Sequence, residues 1–334
     1  MLSVYVIVLV AFVLALLLTP LTMWLVGRYG VTRVKKMKRV QPYVGGLVLV
    51  LAFVAAAWLS RFMPVPFLDS DESIRFQGLL MGVSLALLFG MLHDYHELPE
   101  WWIMPFVLGG IAVSRYISIE VLPGGIVLPW VIMIPLTMLW FVGIINTVNS
   151  LDGLDGLALG VVGIASGVLA VQMYRDQQYS IALLALALVG VAFGVLLYNF
   201  YPVRTLIGSS GTHFLGYVLA ALAIMGGARI VTLFLVLSLP ILDTGWYVVS
   251  RLTRGKLGDS RPLYHRLVDS GFAPQLAVLF YWGISALCGG LLLFLPGAIY
   301  KVAAILFVVL LDLILRWLLP RPSVRHMDRA LVAK

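Results

Sequence analysis

"LSVYVIVLVAFVLALLLTPLTMWLV", residues 2 to 26, runs from end to end without a charge. A helix rises about 1.5 Å per residue, so about 20 such residues cross the apolar layer of a bilayer. The positive charge at Arg28 follows this run rather than preceding it, and the run is longer than the apolar core of a cleaved leader. It reads as a first membrane helix that stays in the chain.

Composition extends that reading to the whole chain. Of 334 residues, 62% are hydrophobic and 11% charged, too little polar surface to cover a soluble domain of this size. Comparable apolar stretches recur at 43–59, 77–92, 101–114, 129–147, 156–173, 180–197, 213–226, 229–250, 275–295 and 299–318. With the first, they predict an all-α integral membrane protein of about eleven transmembrane helices. Residues 1–334 form a single polytopic domain in which 319–334 are a basic tail. Cys288 is the only cysteine, which excludes an internal disulfide and argues against a thiolate metal cluster.

The net charge of +8 does not point to nucleic acid, because its distribution follows a membrane pattern. Arg28, Arg33, Lys35, Lys36, Lys38 and Arg39 follow the first apolar run without an intervening acid. Arg251, Arg254, Lys256, Arg261 and Arg266 form a second group, and Arg316, Arg321, Arg325, Arg329 and Lys334 a third. The bias of Lys and Arg toward cytoplasmic loops places all three inside. Eleven crossings then put the N-terminus outside and the C-terminus in the cytoplasm of an inner or plasma membrane. Asp69, Asp71 and Glu72 fall in an external loop, and Trp101 and Trp102 read as interface anchors.

The same count puts four polar segments on the cytoplasmic face: "HDYHELPE" (93–100), "NTVNSLDGLDGLA" (146–158), "NFYPVRTLIGSSGTHFLG" (199–216) and "RLTRGKLGDSRPLYHRL" (251–267). They predict a cytoplasmic-facing polar groove. In the second segment Asn146, Asn149, Asp152 and Asp155 recur every third residue, a spacing that drifts only about 60° per step on a helix. Two carboxylates and two amide oxygens are hard ligands suited to magnesium with a bound diphosphate, and Gly153 and Gly156 let a phosphate approach the main chain. The plainer alternative is a helix cap.

"NTVNSLDGLDGLA" resembles the N-x-x-N-x-x-D-G-x-D-G-L-A signature of the polyprenyl-phosphate N-acetylhexosamine-1-phosphate transferases, and "PYVGG" (42–46), "PILDT" (240–244) and "YHRL" (264–267) follow that family's order. The resemblance implies Mg2+-dependent transfer of a sugar-1-phosphate from a UDP-sugar to membrane polyprenyl phosphate, releasing UMP. It implies catalytic roles for Asp94, Asp152, Asp155 and His265, and metal binding by Asp152 and Asp155. It also implies substrate binding by Asn146, Asn149, Asn199, Arg204, Gly208, Gly211 and Arg266.

Five positions depart from the family pattern: His93 replaces the first of two adjacent aspartates, Ser209 a metal-binding aspartate, Pro262 and Tyr264 the first two histidines of an H-x-H-H-R element, and Thr32 an acid after the first helix. A serine oxygen is a neutral and weaker magnesium ligand than a carboxylate. His93, His96 and Glu97 are candidates to take over the lost functions. The alternative is a catalytically impaired homologue that binds a polyprenyl lipid, a nucleotide-sugar or a membrane protein partner, with a homodimer as another form of assembly.

Several side chains also have plainer readings. His93 and His96 read equally as interfacial caps, Asp94 as an ion-pair partner, His265 and Arg266 as ordinary cytoplasmic charge, and His213 as a structural residue opening the eighth helix. Asp243, an acid inside an apolar run, reads as either a functional group or a buried hydrogen-bond anchor.

Overall fold

A computed structural model describes residues 2–29, 44–66, 69–96, 103–122, 126–227, 229–253, 261–295 and 298–319. The helices are α1 (Leu2–Tyr29), α2 (Gly45–Ser60), α3 (Glu72–His96), α4 (Ile103–Ser114), α5 (Trp130–Ser150), α6 (Leu157–Arg175), α7 (Tyr179–Asn199), α8 (Gly208–Met225), α9 (Ile230–Val236), α10 (Ser238–Leu252), α11 (Leu263–Asp269), α12 (Pro274–Phe294) and α13 (Ala298–Leu318). Between α4 and α5, β1 (Val121–Leu122) pairs antiparallel with β2 (Ile126–Val127). Among the described residues seven helices, α1, α3, α5, α6, α7, α8 and α12, are long and apolar enough to cross a membrane, and the bent pair α9–α10 would make eight. The chain is an all-α integral membrane protein.

The centre of the bundle is α8. In its apolar window 94% of residues are buried, against 22% for α1, so α8 is enclosed by protein where α1 faces outward. It packs on α2, α3 and α5, while α6 and α7 form a second layer that carries α1 and α12. Within a bilayer, helices gain little from hydrophobicity alone and rely on close packing through small residues. On α7, Gly190 and Gly194 provide that contact: a Cβ on Gly190 would lie 2.5 Å from the Val8 carbonyl oxygen, and one on Gly194 2.6 Å from Ala15 Cβ. Pro20 lies four residues beyond Leu16 and offers no N–H to the Leu16 carbonyl. Tyr198 of α7 donates its hydroxyl to that oxygen at 3.1 Å, supplying the missing donor from a neighbouring helix.

The expected span 229–250 is not one straight helix. It divides into α9 and α10, which meet at 81°. Pro240 cannot donate to the carbonyl of Val236, the last residue of α9, and its ring crowds that carbonyl. The bend turns the start of α10, with Asp243, toward the polar end of the bundle.

A further difference concerns the eighth helix, which begins at Gly208 rather than at His213. This places "GSSGT" in its first turns instead of a loop. Thr32, Arg33, Lys35, Lys36, Lys38, Arg39, Pro42, Tyr43, Glu97, Glu100, Trp101, Trp102, Arg254, Lys256 and the tail residues Arg321, Arg325, Arg329 and Lys334 lie outside the described residues.

Candidate functional site

The acidic motif is part helix and part turn. Helix α5 ends at Ser150, so Asn146 and Asn149 sit in its last turns while Asp152 and Asp155 lie in the 151–156 connection. The interval of three therefore does not align all four side chains on one helix face. Gly156 adopts φ +83°, a left-handed conformation unfavourable for other residues, and starts α6 at once. Its N–H donates to Asn199 Oδ1 at 2.9 Å, and Asn199 Nδ2 donates to the Thr205 carbonyl at 2.9 Å. Asn199 is thus a buried clamp between the acidic turn and the approach to α8. Arg204, on that approach, is exposed.

The start of α8 completes the opposite wall. Its first N–H groups have no partner within the helix. Asp94, reaching from α3, accepts Ser209 N–H at 2.8 Å, Ser210 N–H at 3.1 Å and the Ser210 hydroxyl at 3.1 Å. The carboxylate proposed as catalytic therefore acts as the cap of another helix. Ser209 Oγ meets His93 Nδ1 at 3.0 Å, joining two of the positions where the sequence departs from the pattern it resembles. Asn149 Oδ1 accepts the Thr212 hydroxyl at 2.8 Å.

Gly208 and Gly211, at the start of this helix, each have a local conformational or packing role. Gly208 has φ +64°, and Gly211 lies where an added Cβ would come within 2.9 Å of Ile207 Cβ and 3.3 Å of Gly46 Cα in α2.

Between these walls and α10 lies a cavity of about 390 Å3, lined by His93, Asn146, Asn149, His213, Tyr247 and Tyr264 among others. Two acceptors on its lining residues, Asn146 Oδ1 and His213 Nε2, are buried without a hydrogen-bond partner among the described residues. Asp152 lies in the adjacent turn. Solvent reaches its side chain, but protein surrounds it in the groove; desolvation first, then the negative charges of Asp94 and Asp155, raise its carboxyl well above the ordinary range. A bound cation would relieve that crowding. Among the described residues no three Asp, Glu, His or Cys side chains converge as a ready-made metal cage.

Helix α11 closes the site. Leu263 N–H donates to Asp243 Oδ1 at 2.9 Å, and the Tyr264 hydroxyl donates to the Ser150 carbonyl at 2.8 Å, tying α11 to α10 and the end of α5. A Cβ on Gly153 would lie 2.2 Å from the Tyr264 hydroxyl oxygen, so glycine there admits the tyrosine. His265 packs on Tyr264 with ring centroids 4.5 Å apart. Arg266 points the other way: its Nη2 donates to the carbonyls of Arg316 at 2.8 Å and Leu319 at 2.9 Å. It caps the end of α13.

Asp243 resolves as an anchor. Besides Leu263, it accepts from Tyr281 and pairs with Arg316, whose Nε also donates to Asp312 at 2.8 Å. Sequence reasoning missed Tyr281, Asp312 and Arg316 as members of this network. The signal was present in an acid and a base four residues apart inside an apolar span.

These features define a multi-helix membrane protein with a polar groove, rich in carboxylates and amides, at one end of its bundle. Residues 76–227 match the model of glycosyl transferase family 4, so this stretch of the chain is similar to that family. It is 26% identical over 324 residues, covering 89% of this chain and 84% of the relative, to the probable undecaprenyl-phosphate N-acetylglucosaminyl 1-phosphate transferase of Bacillus subtilis (strain 168). Phospho-N-acetylmuramoyl-pentapeptide-transferase of Enterococcus hirae is 26% identical over 73% of this chain and 80% of its own length. The enzyme of the same description from Moorella thermoacetica is 38% identical over 39% and 42% of the two chains.

Proposed function

We propose that the groove transfers a sugar-1-phosphate of the N-acetylhexosamine type from a UDP-sugar to polyprenyl phosphate in the membrane. A phosphate oxygen of the lipid forms a bond to the β-phosphorus of the nucleotide sugar. The bond from that phosphorus to the bridging oxygen breaks, and UMP leaves with the electron pair. The observation that carries this reading is the Asp152–Asp155 turn, clamped by Asn199 beside a cavity with two unfilled acceptors. The relatives named above support the same reaction class.

The hydrogen bonds of Asp94 are compatible with this chemistry. A phosphomonoester has its second pKa near 6, so the lipid phosphate is largely a dianion at neutral pH and needs little help from a base. Asp94 positions α8, whose N-terminal end favours negative charge nearby. Magnesium fits the donor set in part: Asp152 and Asp155 would hold it, while Ser209 is engaged by His93. Bound there, it would offset the charge of the diphosphate.

The engagement of Ser209 also favours a second reading, a homologue that binds nucleotide-sugar or lipid without turnover. Purified protein supplied with UDP-N-acetylglucosamine, polyprenyl phosphate and Mg2+ separates the two. Release of UMP with formation of a lipid-linked sugar is expected. Nucleotide-sugar binding without UMP release would leave only the binding role.

The groove is oriented toward the cytoplasm in this proposal, on the strength of the basic residues that flank it. A cysteine at exposed Ser70 should react with an impermeant thiol reagent in intact cells while one at exposed Arg204 resists. The reverse pattern would invert the topology.

A further inference from the structure

His213 lies within α8 with 1% of its surface exposed, yet it lines the groove cavity. Its Nδ1 is 2.6 Å from the Ser209 carbonyl oxygen, which can only accept, so the ring proton belongs on Nδ1. In the neutral imidazole, Nε2 then carries a lone pair, and no donor among the described residues reaches it. Asn146 Oδ1, on another lining residue, is likewise buried without a donor. Leaving a buried acceptor unpaired is costly, so two on one cavity fit a donor from outside the chain.

We propose that His213 is a specificity-determining residue: with Asn146, it accepts hydrogen bonds from the glycosyl group of a nucleotide sugar, through a hydroxyl or an acetamido N–H. The proposal rests on the transferase reading and adds the part of the substrate that the cavity holds. The rest of the cavity agrees with an uncharged, hydroxyl-rich occupant. Among the described residues no Lys or Arg lines it, whereas Ser150, Thr244, Tyr247 and Tyr264 do. A diphosphate oxygen would bring further negative charge to two lone pairs and to Asp243, which also lines the cavity. A sugar hydroxyl or amide N–H supplies what they lack, and sites built to hydrogen-bond a substrate group discriminate against ligands without it.

The test is calorimetric titration of the full chain in detergent with UDP-N-acetylglucosamine, UDP-glucose and UDP. His213→Phe is expected to weaken the UDP-sugars about tenfold while changing UDP by no more than about twofold, consistent with one lost hydrogen bond. Loss confined to UDP-N-acetylglucosamine identifies the acetamido N–H as the donor; loss for both sugars identifies a hydroxyl. His213→Asn, which retains an acceptor, should recover part of the affinity. Asn146→Leu, at a half-buried position, should show the same sugar-selective loss and serves if the His213→Phe chain does not fold.

Equal weakening of UDP and the UDP-sugars overturns the proposal, as does affinity that strengthens toward acid pH, which would mark an imidazolium donating to phosphate. Unchanged binding in His213→Phe and Asn146→Leu removes this proposal and leaves the transferase reading intact. Wild-type protein that binds no uridine nucleotide removes both.

Discussion

The Ser209 N–H donates to Asp94 Oδ1 at 2.8 Å, joining the end of α3 to the start of α8 across 115 positions of sequence. With the two bonds from Ser210, this makes Asp94 a cap supplied by another helix. Asp94→Ala should therefore lower folding stability by about 1–2 kcal/mol, the usual effect of losing a good cap. Chemical unfolding in detergent measures it. An unchanged stability accompanied by lost turnover would return Asp94 to a purely chemical role.

Asp152 should govern how the metal-free protein responds to pH. Its folded carboxyl binds a proton more tightly than the unfolded one, because of desolvation and then the charges of Asp94 and Asp155. Stability is therefore lost as pH rises above the ordinary carboxylate value and stops falling above the raised one. Asp152→Asn should be more stable than wild type at neutral pH without metal, with the gain vanishing in acid. It should also lose the stabilisation that Mg2+ and nucleotide-sugar give the wild type. Identical melting curves across pH and ligand would remove Asp152 from the site.

Ser209 and His93 meet at 3.0 Å, so these two positions are coupled. Ser209→Asp adds a hard anionic ligand, and His93→Asp removes the side chain that now engages position 209. Together they add charge beside Asp94, tolerable only with a cation present. The double variant should therefore raise Mg2+-dependent UMP release, and the Mg2+ concentration for half-maximal rate should fall. Turnover already robust in the wild type and reduced in the variant would mean that the existing pair performs the task.

Arg316 pairs with both Asp243 and Asp312 in the bundle interior, and all three are buried. Removing one partner of a buried pair leaves uncompensated charge, at a cost of about 3–5 kcal/mol. Arg316→Met should therefore be strongly destabilised, and adding Asp243→Asn and Asp312→Asn should recover much of the loss. Because Asp243 also holds the Leu263 N–H, Arg316→Met should weaken nucleotide-sugar binding by loosening α11. A fully stable single variant would show that the network does not anchor this end of the fold.

Membrane character, helix positions and the gathering of polar segments at one end were legible from residues 2–26 onward, because apolar length, charge bias and helix breakers act locally. The acidic motif was legible because it is contiguous, and even the bend after Val236 has a local cause in Pro240. What the acids and amides do was not legible. Asn199 reaches Gly156, Arg266 caps α13, and Asp243 pairs with Arg316 73 positions away. A hydrogen-bonding side chain has the same potential wherever it stands in a sequence. Only the folded bundle decides whether its partner is a helix end, another side chain or a cavity left open for a ligand, because desolvation makes pairing obligatory for whichever groups the packing encloses.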